Sequence, residues 1–400
     1  MKLFTCVKKM SVDFINQTLK NIDEKGLKRS LRDVSGKQSR RIFVDGKDVL
    51  NFCSNNYLGL ADDVRLSKAA EDSLKTQGFG SGASRLVCGN LDAHRQLEKK
   101  IAQFKGSEDC LVFSTGYMAN IGIISSVCTR DDIVFSDRLN HASIVDGIIL
   151  SRATFTRYPH RDMDVLEKML KEAQGYKKKL IVTDSVFSMD GDIAPLDKIV
   201  SLAKKYNALV MIDEAHSFGV LGKNGKGLAE YFGVEKEIDI QMGTLSKAAG
   251  SFGAYCCGTK EMIQFFINKA RSFIYTTAMP PSVAAASIKA IEIIQSESRR
   301  RCEVLANGDR MRNALKQMGF DILDSCTPII PVVVKEELVA IEFSKKLFDV
   351  GIFVQAIRPP AVPSGTARLR LTVMATHTKE DIDFVVEEFQ RIGKELCLIL

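Results

Sequence analysis

Along the chain, short uninterrupted apolar runs alternate with longer stretches in which apolar positions recur every three or four residues. Runs of three to five residues rich in Val and Ile mark strands buried on both faces of a parallel sheet, and the amphipathic stretches mark the helices that cover it. Buried strands are expected at 110–113, 133–135, 180–183, 209–212 and 238–242, and helices over 67–76, 91–104, 199–206 and 283–294, the last continuing as one helix or a pair to 316. This alternation predicts an α/β domain on a large, mostly parallel sheet flanked by helices. Ahead of it, 41–44 and 49–52, split by Asp45-Gly46-Lys47, read as a hairpin. Apolar residues at Val12, Phe14, Ile15, Leu19, Ile22, Leu27 and Leu31 predict a helix over 11–31 lying across the body and ending in a basic patch, Lys28-Arg29-Ser30-Leu31-Arg32. Behind it, strands at 329–334, 352–354 and 367–373 with helices at 338–348 and 382–396 predict a smaller α+β lobe. No repeat, low-complexity tract or linker interrupts the series, which divides into an arm with the hairpin (1–50), a large domain (51–290) and a small C-terminal domain (291–400).

Composition changes this picture little. With 400 residues, 45% hydrophobic and 26% charged, the chain is of the ordinary globular kind, and a fibrous or disordered class is excluded. The formal charge of +7 is mild, and its lysines and arginines are spread apart from runs such as Lys177-Lys178-Lys179 and Arg299-Arg300-Arg301, which read as solvated helix faces. A phosphate-bearing cofactor suits such a balance, and neither a nucleic acid nor a membrane is an expected partner. The ten cysteines, Cys256-Cys257 among them, form no C-x-x-C pair and no zinc spacing with histidine, so no metal is expected and a reducing compartment is. No stretch approaches the roughly 20 apolar residues of a membrane span, and a cytoplasmic location is expected. Residues 1–9 are too short and too broken by lysine for a secretory signal, and Met10 is an alternative start.

The chemistry gathers at strand ends. The run 209–212 empties into Asp213-Glu214-Ala215-His216, and 238–242 runs out through Gly243-Thr244-Leu245-Ser246 to Lys247, with small residues from Ala248 to Gly253 leaving room beside the lysine. Ligands of open α/β sheets collect outside such carboxyl ends. A carboxylate, a histidine and a lysine on one rim suit pyridoxal phosphate, which a lysine carries as a Schiff base while an acid pairs with its pyridinium nitrogen. Singly, each has a plainer reading: Asp213 as a cap, His216 as a core histidine, Lys247 as a solvated loop residue. Together they favour a site. Gly116 and Tyr117 open the helix after 110–113, where unpaired N–H groups and the dipole favour a phosphate. Gly78-Phe79-Gly80-Ser81-Gly82 fails as a dinucleotide fingerprint, because its third glycine comes one residue early and a helix precedes it. His94 reads as a surface or core histidine.

Asp213-Glu214-Ala215-His216, Gly219-Val220-Leu221-Gly222 and Thr244-Leu245-Ser246-Lys247 together resemble the α-oxoamine synthases, and the resemblance runs from about residue 11 to near the C-terminus. That family has the aspartate-aminotransferase fold, fold type I of the pyridoxal phosphate enzymes, and joins an amino acid to an acyl-CoA with loss of carbon dioxide. The resemblance implies Lys247 as the Schiff-base lysine and deprotonating base, Asp213 at the ring nitrogen, His216 on the ring's 3-oxygen and His141 stacked on the ring. It places Gly116, Tyr117, Ser188 and Thr244 around the cofactor. It also implies a homodimer with shared sites, in which Thr276 reaches the partner subunit's cofactor phosphate. Asn55, in Asn55-Asn56-Tyr57-Leu58-Gly59-Leu60, is a candidate amino-acid contact, although the family has aspartate where Asn56 stands. Arg29 is a candidate substrate contact. The segment Ile357-Arg358-Pro359-Pro360-Ala361, with Gly365-Thr366-Ala367-Arg368-Leu369-Arg370 after it, resembles the branch that condenses L-alanine with pimeloyl-CoA, or pimeloyl carrier protein, in biotin biosynthesis. This implies Arg358 and Ala361 at the acyl substrate, Ala361 replacing a common threonine, and Arg370 on the amino-acid carboxylate, where its fork matches two oxygens. A branch using glycine and acetyl-CoA, another α-oxoamine synthase, an aminotransferase or aldolase of the same fold, and a non-catalytic scaffold are the alternatives. The presence of Lys247 argues against the scaffold, and the 358–370 segment against the aminotransferase and aldolase.

Overall fold

The computed structural model describes residues 2–24 and 27–400; Met1, one of the two candidate starts, lies outside them. Three N-terminal strands, β1 (Val34–Ser35), β2 (Arg41–Val44) and β3 (Lys47–Asn51), precede the central sheet. That sheet comprises β4 (Asp109–Phe113), β5 (Ile133–Asp137), β6 (Thr154–Tyr158), β7 (Lys179–Asp184), β8 (Leu209–Asp213), β9 (Ile240–Thr244) and β10 (Ala254–Gly258). Its order is β4-β10-β9-β8-β7-β5-β6, and only β10 runs against its neighbours. The apolar runs behave as a parallel sheet requires: Ile181, Val210 and Ile212 pack into the core on one face, while Leu180, Val182 and Met211 pack into the core on the other. Each is at most 1% exposed, so truncating one to alanine costs about 2–5 kcal/mol. The order of strands sets the position of the site. From β5 the chain steps outward to β6, then returns past β5 to β7 and continues through β8 to β9. The reversal opens a crevice at the carboxyl ends of β5, β7, β8 and β9.

The remaining strands, β11 (Ile329–Lys335), β12 (Ile352–Phe353), β13 (Gln355–Ile357) and β14 (Ala367–Thr372), build the C-terminal part. β11, β14 and β13 form an antiparallel sheet in that order. The helices Glu337–Asp349 and Lys379–Glu395 pack with it, the second started by a reciprocal Thr378–Asp381 capping box. β12 joins the hairpin in parallel, Ile352 opposite Leu50, so the hairpin and the C-terminal part share a sheet.

Two expectations shift and a third, left open between one helix and a pair, is resolved. The N-terminal helix is Lys2–Glu24, and the basic segment after it is not helical. Val12, Phe14, Ile15 and Leu19 are exposed on it, so its apolar row does not pack across the body of its own chain. The 238–242 strand lies two residues later, because Gly243 and Thr244 are drawn into the ladder with β10. The stretch from 283 to 316 is a helix pair, Pro281–Ser296 and Ser298–Gln317, broken at Glu297.

Candidate active site

Asp213 closes β8 and is 4% exposed. Its Oδ1 accepts the Ala215 N–H at 2.9 Å, and its Oδ2 accepts Asn120 Nδ2 at 2.8 Å. Asn120 comes from the helix Gly116–Val127 and also donates to Ser143 Oγ at 2.8 Å. His216 follows one turn after Asp213, its Nδ1 2.6 Å from Tyr57 Oη. Burial, with help from Lys247 and Arg370, holds the His216 pKa well below its ordinary value, so the ring is neutral. Burial pushes the Tyr57 phenol up to about 12, against the pull of Arg370. The phenol therefore keeps its proton and shares the short hydrogen bond with Nδ1, which leaves Nε2 facing away from Tyr57.

Lys247 lies beyond the end of β9. Burial lowers its pKa, opposed by Asp213 and Asp184, while Arg370 adds to the lowering. The shift is toward the neutral amine. Asp184, opposite Asp213 in the ladder, accepts the His141 N–H at 2.6 Å. Burial and then the neighbouring Asp213 raise its carboxyl well above the usual range. His141 caps the helix Ala142–Ser151, its Nδ1 2.8 Å from Ser143 Oγ, and the residue is exposed, so a ring face is open for stacking.

Gly116 and Tyr117 open their helix behind Thr115, whose hydroxyl accepts the Met118 N–H. A Cβ on Gly116 would come within 2.7 Å of Thr244 Cγ2, so only glycine lets this turn approach the end of β9 so closely. Thr244 Oγ1 is buried without a hydrogen-bond partner. The Tyr117 hydroxyl is committed to Asp146 at 2.5 Å, so the cradle uses its backbone N–H. An orphan hydroxyl beside a helix N-terminus, a strand-end carboxylate and a lysine of lowered pKa fit the phosphate, ring nitrogen and aldehyde carbon of pyridoxal phosphate.

Arg370 reaches this cluster from β14. It is 8% exposed and donates only to neutral oxygens: Nε to Ser188 O at 2.5 Å, Nη1 to Thr372 Oγ1 at 3.0 Å and Nη2 to Asn55 Oδ1 at 3.1 Å. No carboxylate pairs with it among the described residues, whereas Arg368, two residues back on the same face, pairs with Asp190 at 2.5 Å. Arg29, Arg358 and Ala361 meet elsewhere, in the lining of a cleft of about 530 Å³ between the 27–32 segment and the 353–361 segment. Thr276 is half-buried, and among the described residues its hydroxyl reaches Thr277 O at 3.5 Å. Sequence reasoning missed Tyr57, Asn120 and Asp184. Asn120 was detectable as an amide inside an apolar helix, and Asp184 as an acid ending an apolar run just as Asp213 does.

A lysine of lowered pKa and a buried aspartate at adjacent strand ends, beside a helix N-terminus, define a pyridoxal phosphate enzyme of the aspartate-aminotransferase fold. The family model for class I and II aminotransferases matches residues 47–389. The 8-amino-7-oxononanoate synthase of Geobacter sulfurreducens is 51% identical over 383 residues, 95% of this chain and 98% of the relative; that of Lysinibacillus sphaericus is 49% identical over 387 residues, 97% and 100%. Among solved structures, a serine palmitoyltransferase from S. paucimobilis with a bound PLP–myriocin aldimine superposes with a TM-score of 0.92 at 32% identity, covering 98% of this chain and 99% of its own. The 8-amino-7-oxononanoate synthase from Francisella tularensis superposes with a TM-score of 0.76 at 30% identity, covering 87% and 98%. The chain belongs to the class I and II aminotransferases and, within them, to the 8-amino-7-oxononanoate synthases.

Proposed function

We propose that the protein condenses L-alanine with a pimeloyl thioester, releasing carbon dioxide and the thiol, to give 8-amino-7-oxononanoate for biotin biosynthesis. The observation that carries the amino-acid half is Arg370, a buried guanidinium with no carboxylate partner among the described residues, beside Asn55 and within the electrostatic reach of Lys247. A charge kept buried on neutral oxygens is a vacant half of an ion pair, and the alanine carboxylate completes it.

When bound, pyridoxal phosphate supplies the electron sink for charge developing at the alanine Cα. The protein's own groups do the rest. Asp213, oriented by Asn120 and Ala215 N, would pair with the ring nitrogen. His216, held by Tyr57, would face the ring oxygen, and His141, with a ring face open, would stack on the ring. Lys247, its pKa lowered by burial, would hold the cofactor and serve as the base for the alanine Cα proton. Arg29, Arg358 and Ala361, lining the 530 Å³ cleft, take the acyl chain. Thr276, half-buried and weakly bonded within its own chain, is available to a second copy, so the active form is a homodimer with shared sites.

The test is purified protein with pyridoxal phosphate, each amino acid in turn, and acetyl and pimeloyl thioesters of CoA and of acyl carrier protein, following thiol and carbon dioxide release. Alanine with a pimeloyl thioester is the expected productive pair, and the carrier arm decides the physiological thioester. Turnover confined to glycine with acetyl-CoA would move the protein to another branch. Amino-group transfer without thiol release would overturn the condensation altogether.

A further inference from the structure

The loop after β7 meets the turn after β6 in a charge cluster that the mechanism above leaves unused. His160 Nδ1 lies 3.0 Å from Asp137 Oδ1, and its Nε2 lies 2.8 Å from Asp192 Oδ2. Arg161 makes the same span a second time: its N–H donates to Asp137 Oδ2 at 2.8 Å and its Nη1 to Asp192 Oδ2 at 3.0 Å. Arg161 does this with φ at 58°, a left-handed backbone that few residues other than glycine and asparagine adopt. An imidazole with a carboxylate oxygen at each nitrogen satisfies both only by carrying both protons. Burial opposes that charge, but Asp137 and Asp192 outweigh it and raise the His160 pKa to about 9.

Both ends of this staple lead to the candidate site. Asp137 closes β5 and turns within four residues into His141, with its Oδ1 also accepting the Leu139 N–H at 2.8 Å. Asp192 ends the loop whose Ser188 carbonyl accepts Arg370 and whose Asp190 pairs with Arg368. On its far side the same loop is bolted to the C-terminal part, Gly191 O accepting Thr327 Oγ1 at 2.8 Å and the Cys326 N–H at 3.1 Å.

We propose that His160 is a positioning residue for the amino-acid substrate: as a doubly protonated bridge between Asp137 and Asp192 it fixes the loop that presents the Ser188 carbonyl to Arg370, and with it the aim of the Arg370 fork. This rests on Arg370 being the carboxylate anchor. The charged groups around the bridge are Asp137 from β5, Asp190 and Asp192 from the loop, Arg161 from its own turn, Asp324, which Arg161 reaches at 3.6 Å, and Arg368 through Asp190. The Phe187 ring meets the imidazole edge to face at 4.4 Å and shields it. Losing a proton turns a donor into a lone pair facing a carboxylate. Since the folded pKa is raised, the bridge is complete below the ordinary histidine value and is lost as the pH rises through about 9.

The experiment compares wild-type holoenzyme with His160→Gln, His160→Arg and Arg370→Ala, titrating each with alanine without thioester between about pH 7 and 10 and reading the cofactor's visible absorbance. Histidine-ring ¹⁵N spectra are recorded over the same range. Losing one charge-assisted contact predicts that His160→Gln weakens alanine about tenfold near neutral pH and lacks the wild type's fall near pH 9. His160→Arg, which keeps charge and two-sided donation, retains the affinity and shows no such fall. The amine of alanine titrates alike in every protein, so the comparison between variants is unaffected by it. In the wild type, the histidine resonance that either variant removes should titrate near 9, a reading that stands even if His160→Gln does not fold. Unchanged alanine binding in His160→Gln, or a His160 resonance titrating near 6.5, overturns the proposal. Unchanged binding in Arg370→Ala overturns instead the carboxylate anchor on which it rests.

Discussion

Replacing Arg370 with alanine removes a side chain that is 8% exposed and touches three neutral oxygens. Without substrate the loss is modest, because those oxygens belong to a backbone carbonyl, a hydroxyl and an amide. With alanine bound, the variant leaves a carboxylate in a shielded site without its partner. Truncating one half of such a pair costs about 2–5 kcal/mol, which weakens alanine about thirtyfold to about five thousandfold. Arg368→Ala is the informative contrast. It strands Asp190, whose carboxyl burial already raises, so it costs roughly 3 kcal/mol of folding stability. Alanine titration of the cofactor's absorbance separates affinity from stability, and urea unfolding measures the second. The reasoning is refuted if Arg370→Ala binds alanine like the wild type, or if Arg368→Ala loses alanine binding more steeply than Arg370→Ala does.

Borohydride reduction of the holoenzyme will fix the cofactor to Lys247, as peptide mapping reads directly; a label on any other lysine removes Lys247 from the centre of the chemistry. Mixing Lys247→Ala with Thr276→Ala subunits under conditions of proven exchange will restore activity, since one site of each mixed dimer is intact, and no recovery strikes Thr276 from the site. Burial lowers the His377 pKa to about 4, so the unfolded chain takes up its proton first on acidification. Stability is therefore complete above about pH 6.5 and falls by about 3 kcal/mol towards pH 4. His377→Asn will flatten that part of the stability profile, measured by chemical unfolding at each pH; a slope identical to the wild type's assigns the effect to other groups.

The strands that carry the site were legible because they are uninterrupted apolar runs ending in polar clusters: 180–183 and 209–212 lie within β7 and β8. β10 was not. Ala254-Tyr255-Cys256-Cys257-Gly258 has neither a β-branched residue nor alternation, and its pairing with β4 and β9 is a tertiary fact that no local pattern carries. The N-terminal helix showed the reverse problem. Its apolar spacing was real, but periodicity does not say whether the partner surface belongs to the same chain. Within the site, Lys247, Asp213, His216 and Arg370 stood out as ionisable residues in motifs. Tyr57 and Asn120 did not, because they act through other side chains, and that role depends on a 2.6 Å or 2.8 Å approach between distant segments. His160 was passed over for the same reason, since its two aspartates lie 23 and 32 residues away.

The reversed strand also bears on how the chain is made. β4 forms one edge of the central sheet, and among the described residues its neighbour there, β10, lies about 140 residues further along. At synthesis rates of about 5–20 residues per second, Cys110-Leu111-Val112-Phe113 leaves the ribosome roughly 7–30 s before the strand that will cover it. Throughout that interval the nascent chain carries an apolar strand with an open edge, a template for pairing with another copy. Yield during expression will therefore depend more on elongation rate and holdase chaperones than the stability of the finished fold would suggest.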